Sequence, residues 1–405
     1  MHTEKRTVVV IGAGPSGALV SALMKKQGRD VVVLERDRFP RFSIGESLLP
    51  QCMAFMEQAG LLNAVEQGGY QHKNGAAFAW GQRYTEFDFR EKFSPGPGTT
   101  YQVPRADFDK RLADAAEAQG VEIRYGHTLV GVTLQQKGAQ LCVEADGQSY
   151  RIECDFVLDA SGFGRVLPKL LKLERPSDFP SRRAIFTHIQ DNAEGRFDRN
   201  KILITVHPEH QDLWFWLIPF SDGRASLGVV GEEHFFKEGV PWEEQLKAWV
   251  AATPSLASVL TDSQFDRPVQ SLKGYSADVT TLADPRFALL GNAGEFLDPV
   301  FSSGVTIAMK SAVLAAQVLG EQLEGNTVDW QQQYARPLQQ GVNTFKTYVK
   351  AWYRGDFQTL MFHPNPNSDI RDMVSAILAG YAWDEANPLV RESDRRLAAL
   401  VALCQ

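Results

Sequence analysis

The chain is poor in cysteine: its 405 residues hold four, Cys52, Cys142, Cys154 and Cys404. They are too few and too scattered for a disulfide scaffold or a zinc module, and they read as small buried hydrophobes in a reducing cytosol. Positive charge is not in excess. Lys and Arg number 42 against 49 Asp and Glu, a net charge of −7, which argues against a nucleic-acid protein with its basic face and against a binder of anionic membranes. An uninterrupted apolar span of about 20 residues, the length needed to cross a bilayer, is missing. The apolar stretch from Val8 to Met24 is broken by Gly12, Gly14, Pro15 and Gly17 and has no small-residue cleavage site before Lys25, so it does not read as a secretion signal. His207-Pro208-Glu209-His210 lacks a third ligand, and no metal is expected. Neither a Gly-x-Ser-x-Gly elbow nor a Cys–His pair points to covalent catalysis. The expectation is a cytoplasmic protein of two or three structural units, with no membrane insertion and no nucleic-acid partner.

What is present begins at the N-terminus. Thr7 to Ile11 is a continuous β-branched run, the pattern of a strand buried on both faces. Gly12-Ala13-Gly14-Pro15-Ser16-Gly17 follows, then a helical pattern to Met24, a stop at Gly28, and a second buried strand from Asp30 to Leu34 closed by Glu35. Each part has a physical job. Gly12 permits the tight turn, Gly14 leaves room for a pyrophosphate, and Gly17 lets helix and strand pack closely. The helix start offers unpaired N–H groups and a positive dipole end to phosphate. Glu35 is placed to accept from a ribose 2′-OH, and an acid there disfavours a 2′-phosphate. The unit is therefore expected to bind FAD or NAD rather than NADP.

Several later segments choose between these. Tyr101 to Leu112 is a strand end and an amphipathic helix with Arg105 at the junction. Asp155 to Gly164 is a buried strand ending in Asp159 and small residues. Phe287 to Gly304 gives a strand, a Gly turn, Asp298-Pro299 and a small-residue turn before a helix from Val305 to Leu319. In this order the segments resemble the FAD-binding fold shared by aromatic hydroxylases, geranylgeranyl-reductase-like enzymes and flavin-dependent halogenases. The resemblance implies that Asp298 lies near the ribityl chain and that the helix start at Gly304 and Val305 points at the flavin. It also assigns FAD contacts to Pro15, Ser16, Arg36, Arg41, Ser47 and Arg105, with Glu46 near the flavin; a surface ion pair is the rival role for Arg41 and Arg105.

Three markers resemble the halogenase branch in particular. Trp214, Trp216, Ile218 and Pro219 match W-x-W-x-I-P. Strand alternation puts the two indoles and Ile218 on one face, with Phe215 and Leu217 on the other, so the indoles are expected to shield the flavin. Lys73, in His72-Lys73-Asn74-Gly75-Ala76, stands where the resemblance places a catalytic lysine. In that family reduced FAD and O₂ oxidise halide to hypohalous acid, which travels to the lysine beside the substrate. An ammonium would polarise this species and a neutral amine would capture it, and burial would lower the lysine pKa toward the working range. Ser303 and Gly304 match the positions whose backbone N–H groups hold halide. Phe301 stands where tryptophan halogenases carry a glutamate, which points away from free tryptophan toward phenols, pyrroles or carrier-bound acyl groups.

The expected fold class is α/β: a Rossmann-type FAD-binding domain with an inserted antiparallel β-sheet substrate domain and a helical C-terminal part. The FAD domain is placed at 1–75, 101–185 and 272–325, the substrate-side sheet at 76–100 and 186–271, and the helical segment at 326–405. The expected activity is FADH₂-dependent halogenation of an electron-rich aromatic in secondary metabolism. FAD works as FADH₂, chloride or bromide is co-substrate, and a separate flavin reductase is a partner. The substrate is free or tethered to an acyl or peptidyl carrier protein. The rivals are a monooxygenase, a geranylgeranyl-reductase-like hydride donor, and a flavoprotein that has lost catalysis within a biosynthetic complex.

Overall fold

A computed structural model describes residues 2–274, 277–295, 297–364 and 367–404. Two large sheets and a set of C-terminal helices make up the molecule. The first sheet is α/β. Its order from one edge is Ala283–Asp284, Phe287–Leu289, Gln148–Asp159, Thr3–Ile11, Val31–Glu35 and Glu122–Tyr125. From Phe287–Leu289 to Glu122–Tyr125 every pairing is parallel. Val8 to Val10 and Val31 to Leu34 are sealed on both sides, as parallel strands covered by helices require. The helix Pro15–Lys26 starts directly off the first strand, with Pro15 at its opening position, where a missing N–H costs nothing.

The second sheet runs Gln270–Lys273, Arg182–Gln190, Arg224–Glu232, Trp214–Pro219, Lys201–Val206, Gly75–Trp80 and Arg83–Asp88. All its pairings are antiparallel except Lys201–Val206 beside Gly75–Trp80, which is parallel. Its two faces have different fates. Phe215 and Leu217 join Ile185, Ile189 and Leu203 in a core closed by Leu246, Val250 and Leu256, from the helices Trp242–Ala251 and Pro254–Val259. Trp214, Trp216 and Ile218 join the main core on the opposite face, toward the first sheet. The period-2 pattern of this strand thus separates packing from the site.

The helix Gly304–Leu323 packs against the helix Pro15–Lys26 and stops before Gly325, whose φ is +90°. The aromatic-rich stretch from Phe345 to Phe362 runs through two helices, Arg336–Arg354 and Asp356–Met361. Gly355, at φ +82°, separates them. A left-handed residue ends the first helix there. Its inward face carries Phe345, Tyr348 and Trp352, and Trp352 packs against Phe78, Trp214 and Phe301 with ring centroids 6.0–6.4 Å apart. Among the described residues no helix is long and apolar enough to cross a membrane.

Candidate active site

A cavity of about 440 Å³ lies between the two sheets. One end is built from the glycine turn: Gly12, Gly14, Pro15 and Ser16 line it with Glu35 and Arg36. At Gly12 φ is +91°, and an added Cβ would stand 2.8 Å from the Ala160 carbonyl oxygen. A Cβ on Gly17 would overlap the Gly12 carbonyl, so Gly17 serves the strand–helix contact from behind the lining. A Cβ on Gly14 would come 3.4 Å from Arg41 Nη2, so the missing side chain leaves room just where an arginine waits. Glu35 is buried with both oxygens on backbone amides, accepting from Ala13 N–H at 2.8 Å and Asp37 N–H at 2.9 Å. It braces the turn as well as lining the cavity. Arg36 is mostly exposed and pairs with Asp37.

Arg41 and Arg105 meet at one carboxylate. Asp109 accepts from Arg105 Nε at 2.7 Å and Nη2 at 3.0 Å, and from Arg41 Nη1 at 3.2 Å. Arg105 Nη1 donates to the Ile44 carbonyl at 2.6 Å. Both arginines line the cavity, but Arg105 spends its fork on Asp109 and on the loop that carries Glu46 and Ser47. Asp109 is fully buried. The Arg105–Asp109 spacing of four on a helix was a readable signal for this pair.

The other end of the cavity is faced by Trp214, Trp216 and Ile218, with Ile202 and Ile204 beside them and Gly304 and Val305 opposite. Trp214 Nε1 donates to Tyr353 Oη at 2.9 Å and Trp216 Nε1 to Ser226 Oγ at 3.0 Å, so both indole dipoles are satisfied and both rings are fixed in direction. Pro219 ends the strand outside the lining. Asp298 also stands behind it, almost fully buried, accepting from Val300 N–H at 3.2 Å. Burial and the Asp298 carboxylate hold the Tyr353 phenol well above its ordinary value.

At the start of the Gly304–Leu323 helix, Ser302 has φ +56° and Ser303 is buried with no side-chain cap bond. The first-turn N–H groups of an α-helix lack intrahelical acceptors, and here that turn opens on the cavity through Gly304 and Val305. Ser303 itself does not line it. Phe301 packs edge-on against Trp352 and Phe357.

Lys73 is the last residue of the short strand Gln71–Lys73 and is 0% exposed. Its Nζ donates to Ser47 Oγ at 2.7 Å and to the Leu48 carbonyl at 2.8 Å, and lies 5.5 Å from the Phe89 ring centroid. No carboxylate neutralises it among the described residues. Burial pushes its pKa down to about 7, with the nearby Cys52 thiol opposing. Lys73 does not line the cavity, but Ser47 does. One hydroxyl therefore touches both the cavity and the lysine.

The turn, the indole pair, the helix start and the loop at Ser47 thus converge on one cavity, with Lys73 one side chain away. Phe42, His127, Phe163 and Asn292 also line it and were not singled out from the sequence. His127 follows a two-stranded turn whose pattern carries no chemistry, and Phe42 is an exposed aromatic of an irregular loop. The cavity fits FAD. It has a Cβ-free phosphate approach at Gly14, a buried acid at Glu35 for ribose, and an apolar aromatic wall at Trp214 and Trp216 for an isoalloxazine.

Comparison with known proteins agrees. The FAD binding domain family matches residues 5–337. The flavin-dependent halogenase gsfI of Penicillium aethiopicum is 30% identical over 375 residues, 85% of this chain and 70% of that protein. A 1H-pyrrole-2-carbonyl-(peptidyl-carrier protein) brominase of Pseudoalteromonas luteoviolacea is 28% identical over 93% of this chain and 92% of its own. Among solved structures, a flavoprotein/dehydrogenase from Cytophaga hutchinsonii superimposes with a TM-score of 0.96 at 40% identity, covering 99% of both chains. The chain belongs to the flavin-dependent halogenase family and is an FAD-dependent oxidoreductase.

Proposed function

We propose that this protein halogenates an electron-rich aromatic, a phenol, a pyrrole or a carrier-bound acyl group, using FADH₂ delivered by a separate reductase. The observation that carries the reading is the buried Lys73, held by Ser47 on the cavity wall with its pKa lowered to about 7. The pyrrole-carrier brominase among the relatives supports a carrier-tethered substrate, and Phe301 in place of an acid supports a substrate more electron-rich than free tryptophan.

Bound as FADH₂, the cofactor would supply the electrons with which O₂ oxidises chloride or bromide to hypohalous acid. The chain's own residues do the rest. Gly12, Gly14, Pro15, Ser16 and Gly17 admit the pyrophosphate to the helix start, and Glu35 receives the ribose. Arg36 and Arg41 stand beside the phosphates, while Arg105 and Asp298 hold the loop and turn that shape the flavin end. Ser303 and Gly304 offer halide the backbone N–H groups of the helix start. Trp214 and Trp216, with Ile218 and Pro219 completing the strand, exclude substrate and bulk water from the flavin face. Near neutral pH, Lys73 exists both as ammonium and as amine. The ammonium would donate a hydrogen bond to the arriving hypohalous acid, whereas the amine would form an N–halogen bond as the halogen–oxygen bond breaks and water leaves with a proton from the amine.

The test is turnover by purified protein with FAD, a reductase, NADH, O₂ and bromide or chloride. Monochlorodimedone, free phenols and pyrroles, and a pyrrolyl carrier protein serve as acceptors, read by mass spectrometry. Halogenated product that requires Lys73 supports the reading. Hydroxylated product independent of halide would make the enzyme a monooxygenase.

A further inference from the structure

Glu46 is 3% exposed and lines the cavity. It lies on the loop whose neighbour Gly45 approaches Val305, at the flavin-facing helix start, within 3.8 Å of where a Cβ would sit. Its Oε1 meets His188 Nε2 at 2.6 Å, and among the described residues nothing donates to Oε2. The side chain of His188 is 24% exposed. The histidine sits on the strand Arg182–Gln190 opposite Ser226, the residue that holds the Trp216 indole. Phe42 and Phe220 pack edge-on against its ring at 5.9 and 5.1 Å. Other ionisable groups nearby are engaged elsewhere. Arg105 is on Asp109 and the Ile44 carbonyl, Lys73 on Ser47 and Leu48, and Arg199 on Asp191 and the Phe220 carbonyl. A buried acid on the cavity wall therefore has one ionisable partner, and that partner reaches solvent.

We propose that Glu46 and His188 form the proton path from solvent into the flavin end of the cavity. The inference rests on the halogenase reading above. The balanced reaction FADH₂ + O₂ + X⁻ + H⁺ → FAD + HOX + H₂O consumes one proton, because halide arrives without one. His188 takes that proton from solvent at Nδ1 and passes the one on Nε2 to Glu46 Oε1. Rotation of the carboxyl about its Cγ–Cδ bond turns the proton into the cavity. Loss of the proton there restores the carboxylate, and His188 recovers its starting tautomer by ring rotation or exchange with solvent.

Two variants separate a relay from a latch. Glu46→Gln keeps a hydrogen-bonding partner for His188 but cannot carry a proton. His188→Ala removes the solvent end and leaves room for added imidazole. Halide-dependent oxidation of monochlorodimedone should fall about a hundredfold in Glu46→Gln, the size of a lost general acid, and equally in His188→Ala. Imidazole should restore the His188→Ala rate. FAD affinity, measured on the cofactor-free proteins by flavin fluorescence, and the melting temperature should stay close to wild type. A Glu46→Gln enzyme with the wild-type rate overturns the relay. So does a His188→Ala protein whose defect is weak FAD binding and is not relieved by imidazole. Wild-type protein that re-oxidises FADH₂ but never forms HOX overturns the halogenase reading itself, a result distinguishable from both.

Discussion

The cavity and the surroundings of Lys73 meet at Ser47 and are built on opposite physical plans. The cavity is wide, walled by backbone N–H groups, carboxylates and arginines at one end and by indoles at the other. Lys73 has no room around it: two oxygens, an aromatic ring, and no exposed surface. A dinucleotide needs the first plan, because its phosphates must be matched by fixed donors that stay solvated until it arrives. The proposed role of Lys73 as both acid and base near neutral pH needs the second, because desolvation without a neighbouring carboxylate brings its ammonium down from the usual range. In the proposed function, placing the two environments one hydroxyl apart would let a reactive halogen species form in one and be used in the other.

The sharpest break in this comparison is Lys73→Met, which keeps the volume and removes the amine. Halogenation should fall by about 10²–10⁴-fold, the range of a lost acid–base group, while O₂-dependent oxidation of FADH₂ continues. Parallel assays of halogenated product and oxygen uptake check this; equal loss of both would mean the two regions are not separable.

The same variant should be more stable than wild type, with a pH dependence of definite sign. Lys73 titrates at about 7 when folded and near 10.4 when unfolded. Below pH 7 it is protonated in both states, and the folded protein bears the full cost of a buried charge. Between about 7 and 10 the unfolded chain binds the extra proton, so wild-type stability rises by up to about 1.4 kcal/mol per pH unit. The stability gap between Lys73→Met and wild type should be widest below pH 7 and close toward pH 10 in denaturant unfolding series. A gap that does not change with pH would show that the lysine is not desolvated.

Ser47→Ala sharpens the comparison at its hinge. It removes one of the two acceptors of the ammonium, so the Lys73 pKa should move further down and the pH–rate profile with it. A rate loss of about tenfold is expected at neutral pH, corresponding to about 1.4 kcal/mol, the scale of a hydrogen bond to a charged group. FAD affinity by fluorescence titration should scarcely change; weakened FAD binding would show that Ser47 holds the cofactor as well as the lysine.

The smallest effect belongs to Trp214→Phe. It keeps an aromatic wall but withdraws the Nε1 donor from Tyr353, at a cost of about 1 kcal/mol, visible as a modest drop in melting temperature with FAD binding retained.

Much of the site was legible in the chain. The glycine turn with its strand, helix and acid depends on local geometry, and the face occupied by Trp214 and Trp216 follows from a period of two. The Arg105–Asp109 pair was within reach of helical spacing. Other parts were not. Glu46 meets His188 across |i−j| = 142 and Trp214 meets Tyr353 across |i−j| = 139; neither has a local pattern to announce it. The break at Gly355 was readable only as a glycine, and its left-handed φ needed the surrounding helices.

By itself the sequence determined the strand, glycine turn and helix at the N-terminus, and which face of the Trp214–Pro219 strand is aromatic. These are properties of neighbouring residues and of backbone sterics. The tertiary structure alone decided that Lys73 is buried without a counter-ion among the described residues, that Ser47 joins it to the cavity, and that Glu46 has a partner reaching solvent. Desolvation and Coulomb interaction depend on what surrounds a group in space, and what surrounds these groups comes from distant parts of the chain.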